Sequence, residues 1–457
     1  MRQALGSRPL GILFGSELKD RRRITSQVQA ERAVLVGVLL PGEDRAAARY
    51  DPLAELAALA KAAGAEVVGR MIQKRTRICP GTYIGHGKAQ ELAVYVQDKQ
   101  ADLVIFDNEL TPSQIRDLEE LLHRHVIDRT ELILDIFASR ARTNEARLQV
   151  ELAQLEYTAP RLRGMWTHLE RIAGAGGGTA AGAVGGIGTR GPGERQIEID
   201  RRIVQKRVTF LRRQIAQIDR RRLREVHSRR DFFTIGLVGY TNAGKSSLMN
   251  ALTHAGAYVA DQLFATLDTR TRRWELGGGQ TALLSDTVGF VRNLPHQLVA
   301  SFRATLEEVI HSDLLLHVVD ASSPDAVGQT RAVRQVLSEM DCGQIPAITV
   351  LNKIDVLHDE SAAHLLRAGE PDAVEVSAVR GDGLDRLTQR VLEHVRNHYV
   401  RVQLEADPAN GRLMAYLRRH GQILGQSVKE GCLALDVRIP RAEMPRVSEL
   451  GGRQLGG

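Results

Sequence analysis

The chain has 457 residues, 43% hydrophobic and 26% charged, a composition typical of folded proteins, and its length predicts two to four domains. Three widely separated cysteines, Cys79, Cys342 and Cys432, support neither a disulfide framework nor a cysteine zinc site and favour a reducing, cytoplasmic setting. Because every apolar run is shorter than the roughly 18 residues that span a bilayer, we exclude integral membrane insertion and leave only peripheral association open.

The net charge of +7 is concentrated in one segment. Between Arg195 and Arg230 there are 13 lysines and arginines against four acids, which gives +9, so the rest of the chain sums to −2. A basic excess confined to one segment predicts a localised contact with a polyanion, whereas the alternative is a solvated helix face.

In chain order, residues 1–30 are basic and weakly patterned, and we assign them no fold and leave disorder open. Residues 31–140 alternate strand-like and helix-like stretches, which predicts a small N-terminal α/β domain with a parallel sheet. The expected strands lie at 34–40, 66–71 and 103–106, and the expected helices at 53–63, from 88 onward and after 112.

Residues 141–231 predict a long antiparallel helical hairpin. Apolar residues follow four-three spacing from 148 to 169 and again from 204 to 218, with a kink expected at Pro160. The loop at 174–193 contains ten glycines in twenty residues, so we expect it to be mobile until something binds it. A flexible connector is the alternative interpretation of this loop.

A second α/β series at 232–398 predicts a mixed sheet with helices on both faces, and 399–457 predicts a small α+β C-terminal domain.

The first strand of the 232–398 series is followed by G-x-x-x-x-G-K-S and then a helix. In this motif backbone N–H groups surround phosphate oxygens, the lysine reaches the β- and γ-phosphates, and the serine hydroxyl binds Mg²⁺. A chance glycine-rich turn is the alternative. The predicted nucleotide-binding residues are Gly239, Tyr240, Thr241, Asn242, Ala243, Gly244, Lys245, Ser246 and Ser247.

About 40 residues later a strand-like stretch ends in D-x-x-G. Its aspartate can hold the Mg²⁺ shell through water, and its glycine amide can meet the γ-phosphate. Between the two motifs, Thr266 is placed to complete Mg²⁺ coordination when the γ-phosphate is present. The predicted residues are Phe264, Ala265, Thr266, Leu267, Asp268, Asp286, Thr287, Val288 and Gly289, with Ser246 and Thr266 as metal ligands.

Two further strand ends predict a guanine site. Asp355 can accept hydrogen bonds from the ring N–H and amino group of guanine, which adenine does not present, and such bonds give a preference of about 10² to 10⁴ for GTP over ATP. The amide of Ala378 is expected to meet the guanine oxygen. The predicted residues are Asn352, Lys353, Ile354, Asp355, Ser377, Ala378 and Val379.

The group that positions the attacking water is not identified by the sequence. A Ras-like switch has glutamine after the D-x-x-G glycine, whereas this chain has Phe290, and a phenyl ring cannot orient water. We therefore expect slow hydrolysis that depends on another group, on a K⁺ ion or on a partner. The alternative, that Phe290 only packs, agrees with the same slow rate.

The sequence resembles the HflX family of translational GTPases, in the TRAFAC class. The resemblance spans about residues 30 to 400 and rests on the segments 81–88, 140–146, 155–164, 191–202 and 286–290, of which Gly-Pro-Gly-Glu-Arg at 191–195 is the most specific. It implies GTP hydrolysis to GDP and phosphate, and binding of the large ribosomal subunit with the hairpin near the peptidyl-transferase centre. It also implies splitting or rescue of ribosomes, or a part in their biogenesis, under stress.

A rival hypothesis is a nucleotide-regulated RNA chaperone or remodelling protein. In that case the helical hairpin binds structured RNA generally. Gly85 to Lys88 then form a second nucleotide-binding loop, which binds ATP as has been proposed for HflX-like proteins. The alternative for this loop is a turn and a helix start. A monomer is the simplest partner for a ribosomal site.

Overall fold

The computed structural model describes residues 31–41, 51–159, 192–228, 232–253, 263–264, 270–277, 279–292, 309–340, 342–357, 360–429 and 432–455. Contacts within the chain divide it into two compact units. The first contains Met1–Arg140 and Ala153–Lys206, and the second contains Ala141–Leu152 and Arg207–Gly457. None of the helices in the described ranges is both long enough and apolar enough to cross a membrane.

The first unit contains a fully parallel four-stranded sheet, as predicted. The elements are β1 (Arg32–Leu39), α1 (Ala54–Ala63), β2 (Glu66–Lys74), α2 (His86–Asp98), β3 (Leu103–Phe106), α3 (Pro112–Leu122), β4 (His125–Asp128) and α4 (Arg129–Arg140). The strand order is β2-β1-β3-β4. Six consecutive residues of β1 are buried, because a parallel sheet covered by helices needs apolar side chains on both faces.

Strand β4 and helix α4 are absent from the predicted elements, because charged residues interrupt their apolar pattern. Two of these charged residues, Arg129 and Asp128, are buried with partners. Arg129 is 5% exposed and pairs with Glu55 and, at 2.6 Å, with Asp107. Asp128 accepts a hydrogen bond from the Tyr157 hydroxyl at 2.5 Å. A buried charge is tolerated when it is paired, so these residues belong to the core although their types suggest a surface.

Two helices follow, α5 (Asn144–Thr158) and α6 (Pro192–Ser228), where the apolar spacing predicts helices. The guanidinium of Arg207 in α6 donates to both carboxylate oxygens of Glu151 in α5, at 2.7 and 2.9 Å. The expected kink at Pro160 and residues 174–191 of the expected loop lie outside the described residues. The last two residues of that loop begin helix α6 instead, because proline suits the first helical position, where no N–H is needed.

The second unit contains a mixed six-stranded sheet in the order β10-β9-β8-β5-β7-β6, in which only β6 is antiparallel to its neighbour. Helices α7 and α10 pack on one face, against Leu316 and Val318, and α8 and α9 pack on the other, against Val319. The elements are β5 (Phe233–Gly239), α7 (Lys245–Thr253), β6 (Arg270–Gly277), β7 (Gln280–Asp286), β8 (Leu314–Asp320), α8 (Ala326–Glu339), β9 (Ala347–Asn352), a 3₁₀ turn (Ile354–Val356), α9 (Glu360–Gly369), β10 (Val374–Glu375) and α10 (Leu384–His398).

The described residues from Tyr399 onward form a four-stranded antiparallel sheet with helices on one face, which agrees with the α+β class predicted for the C-terminal part of the chain. It continues directly from α10, and the Arg438 guanidinium lies 4.7 Å over the Tyr399 ring and donates to Gln280 at 2.9 Å. The elements are β11 (Tyr399–Ala406), α11 (Gly411–His420), β12 (Gln422–Lys429), β13 (Cys432–Pro440), a 3₁₀ turn (Arg441–Glu443), α12 (Met444–Glu449) and β14 (Arg453–Gln454).

One buried histidine lies in the centre of the mixed sheet. The side chain of His317 in β8 is 3% exposed and lies close to Arg334 and Glu370, which form an ion pair at 2.6 Å. Burial lowers the pKa of His317 to about 4, and the nearby arginine adds to this lowering. The ring is therefore neutral at neutral pH.

The low pKa of His317 makes stability depend on pH. The folded-state pKa of about 4 lies below the ordinary 6.5, so the unfolded chain takes up a proton first as the pH falls. The free energy of unfolding therefore decreases from about pH 6.5 towards pH 4, and this residue accounts for about 2 kcal/mol between pH 7 and pH 5. We expect His317→Leu to lack this part of the decrease.

Urea unfolding at pH 7 and pH 5 measures this effect when the signal comes from Trp274, which is 2% exposed in β6, in a Trp166→Phe background. His311→Leu is the control, because His311 is an exposed histidine in a turn. Equal sensitivity to pH in His317→Leu and in the parent protein would contradict a buried neutral ring.

Candidate nucleotide site

The phosphate loop connects β5 to α7 and spans residues 239–246. Two of its positions require glycine. Gly244 has φ of +91°, and a Cβ atom there would overlap the side-chain amide of Asn352. Gly239 ends β5 with φ of +153°, where a Cβ atom would overlap the carbonyl oxygen of Val318. The loop therefore fits tightly between two neighbouring strand ends, and only glycine allows this path.

Lys245 is buried in this loop, with 6% of its surface exposed. Its amine donates hydrogen bonds to the carbonyl oxygens of Gly239, at 3.1 Å, and Tyr240, at 2.8 Å. Burial lowers the pKa of Lys245 to about 8, and the charge of Asp286 opposes this lowering. A phosphate oxygen beside the amine would favour its charged form, so the loop is suited to an anionic ligand.

Two oxygen ligands suited to Mg²⁺ lie together at the start of α7 and the end of β7. The hydroxyl of Ser246 donates to a carboxylate oxygen of Asp286 at 2.6 Å, and Asp286 is 1% exposed. Hard oxygen donors of this kind are what Mg²⁺ prefers. The other predicted ligand, Thr266, lies outside the described residues together with its neighbours from 265 to 268. Phe264 is described and is buried.

The residues after Asp286 lie directly on the phosphate loop. The Thr287 hydroxyl donates to the carbonyl of Leu237 at 2.7 Å, and Val288 is buried. A Cβ atom at Gly289 would lie 2.8 Å from the Cα of Thr241 and 2.9 Å from the amine of Lys245. The structure thus brings together the two motifs that the sequence assigns to phosphate binding.

Phe290 is held in place by its backbone and its side chain. Its N–H donates to the carbonyl of Gly239 at 3.1 Å, and its carbonyl accepts from the N–H of Thr241 at 2.8 Å. The side chain is 2% exposed. The ring is a packing group here and has no means of orienting water.

Asn352 connects the phosphate loop to the predicted base site. Its amide NH₂ donates to the carbonyl of Ala243 at 2.9 Å, and its amide oxygen accepts from the N–H of Ala378 at 3.1 Å. Next to it, Lys353 adopts φ of +66° and its amine pairs with Asp320 at 2.7 Å. The predicted residues from β9 and from the turn after β10 therefore meet at one edge of the sheet.

Asp355 carries the carboxylate that the sequence assigns to guanine. One of its oxygens accepts a hydrogen bond from the buried hydroxyl of Ser377 at 2.7 Å. This hydrogen bond is the main cause that lowers the pKa of Asp355, so the group is ionised at neutral pH. Ile354 donates its N–H to the carbonyl of Val376, which fixes the turn, and Val379 is 83% exposed. An ionised carboxylate in this position can accept hydrogen bonds from a base.

Three residues of this region are missing from the predicted set. Asp320 ends β8 at the same sheet edge, and its signal is a carboxylate directly after an apolar strand. Arg292 forms an ion pair with Asp325, which precedes α8. No motif relates these two residues, because they are 33 positions apart in the sequence.

The possible second nucleotide loop, Gly85 to Lys88, lies at the start of helix α2. Gly85 caps the helix, and the amine of Lys88 pairs with Glu91 at 2.7 Å within the first turns. This geometry is the turn and helix start of the alternative interpretation, and the only amine of the segment is paired with a carboxylate of its own helix.

Comparison with known proteins adds three consecutive family matches: GTP-binding GTPase N-terminal at residues 50–138, GTP-binding GTPase Middle Region at 140–229, and 50S ribosome-binding GTPase at 234–353. A crystal structure of a GTP-binding protein from Sulfolobus solfataricus in complex with GDP is 23% identical and covers 80% of this chain and 99% of its own, with a TM-score of 0.39. At that score the structural likeness adds nothing to the assignment.

Several curated proteins named GTPase HflX are similar over most of their length. The protein from Caldanaerobacter subterraneus is 42% identical over 90% of this chain and 91% of its own. The Escherichia coli (strain K12) protein is 42% identical over 91% and 95%, and that from Magnetococcus marinus 43% identical over 91% and 94%. Identity at this level along nine-tenths of the sequence shows that the chain belongs to the HflX family of GTPases, enzymes that bind and hydrolyse GTP.

Proposed function

We propose that this GTPase acts on the large ribosomal subunit, in the splitting or rescue of stalled ribosomes or in ribosome biogenesis under stress. The observation that carries the proposal is the exposed basic surface of helix α6. Its exposed arginines include Arg201, Arg202, Arg212, Arg213 and Arg220. Ribosomal RNA offers a dense array of phosphates to such a surface, and each phosphate contact releases counterions.

The family comparison supports the same partner. The model that matches residues 234–353 is described as a 50S ribosome-binding GTPase. We infer four functional regions: an N-terminal domain at 31–140, an RNA-binding hairpin at 141–231 with its loop at 174–193, a GTPase domain at 232–398 and a C-terminal domain at 399–457. A ribosomal partner would place the protein in the cytoplasm as a monomer.

In this proposal Ser246 and Thr266 would hold Mg²⁺, which would supply positive charge to the β- and γ-phosphates. Lys245 binds the same phosphates, the Gly289 amide meets the γ-phosphate, and Asp355 selects guanine. Because the ring of Phe290 is buried and cannot orient water, basal hydrolysis is slow. A K⁺ ion or the ribosome supplies the missing contribution. The RNA-remodelling alternative gains no separate support, because the amine of Lys88, which would bind its ATP, is paired with Glu91.

The base assignment is tested by Asp355→Asn. An amide in place of the carboxylate loses the charge that guanine N–H groups prefer and offers a donor to the carbonyl of xanthine. We expect GTP affinity to fall about 10²-fold or more and affinity for xanthosine triphosphate to rise. Equilibrium titration with both nucleotides measures the change, with Asp372→Asn as a control because Asp372 is 88% exposed. Unchanged selectivity for GTP would refute the role of Asp355.

The ribosomal proposal is tested by substituting three exposed arginines of α6, in the variant Arg212→Gln, Arg213→Gln and Arg220→Gln. We expect weaker co-sedimentation with large subunits, a salt dependence whose slope is lower by about 2 to 3, and unchanged GTP affinity.

The matched control for this variant substitutes three exposed arginines elsewhere in the second unit, Arg331→Gln, Arg386→Gln and Arg396→Gln. Equal losses in both triple variants would indicate a general charge effect. If the α6 variant binds large subunits as tightly as the parent protein does, the proposed role of helix α6 in RNA binding is wrong. Equal binding of naked duplex RNA and of subunits would favour the remodelling alternative.

A further inference from the structure

Residues 287–292, called here the switch segment, are hydrogen-bonded to the phosphate loop through Phe290 and Arg292. Phe290 makes two backbone hydrogen bonds to this loop, with Gly239 at 3.1 Å and Thr241 at 2.8 Å. A third bond comes from a side chain, because the Tyr240 hydroxyl accepts the N–H of Arg292 at 2.8 Å. Tyr240 is 5% exposed, so this hydroxyl is fixed by the packing of its ring.

The far end of the switch segment is anchored to helix α8. The guanidinium of Arg292 forms an ion pair with the carboxylate of Asp325, the residue before the helix. The side chains are 42% and 27% exposed, so each retains part of its contact with water. Together with Tyr240, this pair fixes Arg292 by both its backbone and its side chain.

A glycine inside α8 makes room for the ion pair. Gly328 lies in the first turn of the helix, where glycine is less favourable than alanine. A Cβ atom there would lie 2.9 Å from a guanidinium nitrogen of Arg292 and would overlap the Asp325 carboxylate. No left-handed backbone angle requires glycine at this position. The space that it leaves is filled by the ion pair.

These contacts determine where Gly289 lies. Its Cα carries no side chain, and the Lys245 amine is 2.9 Å from the position that a Cβ atom would occupy. The side chain of Phe290 is buried and its N–H is bonded to the phosphate loop, so neither can position the reacting groups. The backbone of Gly289 thus lies beside the phosphate-binding amine, and its placement depends on the contacts made by the residues that follow it.

We propose that Tyr240 and the Arg292–Asp325 ion pair are positioning groups for GTP hydrolysis. They hold the switch segment against the phosphate loop, so that the Gly289 amide remains beside Lys245 where the γ-phosphate reacts. They fix the backbone of this segment, and they leave the orientation of the attacking water, which a glutamine supplies in Ras-like switches, to another group. The proposal rests on the phosphate-loop assignment and on GTP hydrolysis, and it does not require a ribosomal partner.

The first test is Tyr240→Phe, which removes one hydroxyl and keeps the buried ring. We expect the single-turnover rate of GTP hydrolysis, measured without ribosomes, to fall about five-fold, with GDP affinity changed less than two-fold. A rate equal to that of the parent protein would overturn the role of Tyr240. Parallel losses of rate and of GDP affinity would indicate damage to the loop and would also overturn it.

The ion pair is tested by a double-mutant cycle of Arg292→Ala and Asp325→Ala. If both residues act through their mutual contact, each single variant lowers the rate about three-fold, and the double variant is no slower than either. Arg292→Lys restores most of the rate, because it keeps the charge. Arg331→Ala is the control, since this exposed arginine lies on the same helix and should leave the rate unchanged.

Two outcomes of the cycle would overturn the proposal. Losses that multiply in the double variant would show that the residues act independently. A large loss in Arg292→Ala with none in Asp325→Ala would show that the arginine contacts the nucleotide itself.

Gly328→Ala separates positioning from stability, because alanine favours the helix while its methyl group displaces the ion pair. We expect this variant to be as stable as the parent and slower in hydrolysis, and an unchanged rate would count against the pair.

Discussion

The amide side chain of Asn352 holds the nucleotide site together. It is 2% exposed and bonds on one side to the phosphate loop, through Ala243, and on the other to the turn that carries Ala378. Because parallel strands end at the same edge of a sheet, the loops after β5, β9 and β10 all emerge there, and one short side chain can join them. The tight fit of Gly244 against this amide shows how little space the arrangement leaves.

The sequence predicts those parts of the molecule in which one residue type has one physical use. Glycine at 239 and 244, lysine at 245 and the carboxylates at 286 and 355 are each suited to their proposed place by backbone angle, charge or hydrogen bonding, so motif spacing is enough to predict them. The α/β class and the C-terminal α+β domain also follow from apolar periodicity. Strand β4 and helix α4 do not, because their buried charges, such as Arg129, are paired only in the folded chain. The contact of Arg292 with Asp325 is hidden for the same reason: it exists only after residues far apart in sequence are brought together.

The residue at position 290 separates nucleotide binding from hydrolysis in the proposed site. With Phe290 in place of a water-orienting glutamine, the proposed site has residues suited to bind GTP, Lys245, Asn352 and Asp355, but no side chain at that position that can orient the attacking water. A switch of this kind remains in its GTP state until something external completes the site. The exposed arginines of α6 give the same chain a basic surface, for which we propose a polyanionic partner. We therefore infer that the partner bound by helix α6 is also the one that accelerates GTP hydrolysis.

This connection is tested most directly by steady-state GTP turnover of the purified protein, with and without isolated large ribosomal subunits at matched salt. The account predicts a rise of about ten-fold or more, equivalent to about 1.4 kcal/mol off the barrier, because the subunit completes the site around Phe290. Turnover that does not rise, together with absence of co-sedimentation, would contradict the ribosomal partner and leave a GTPase without it.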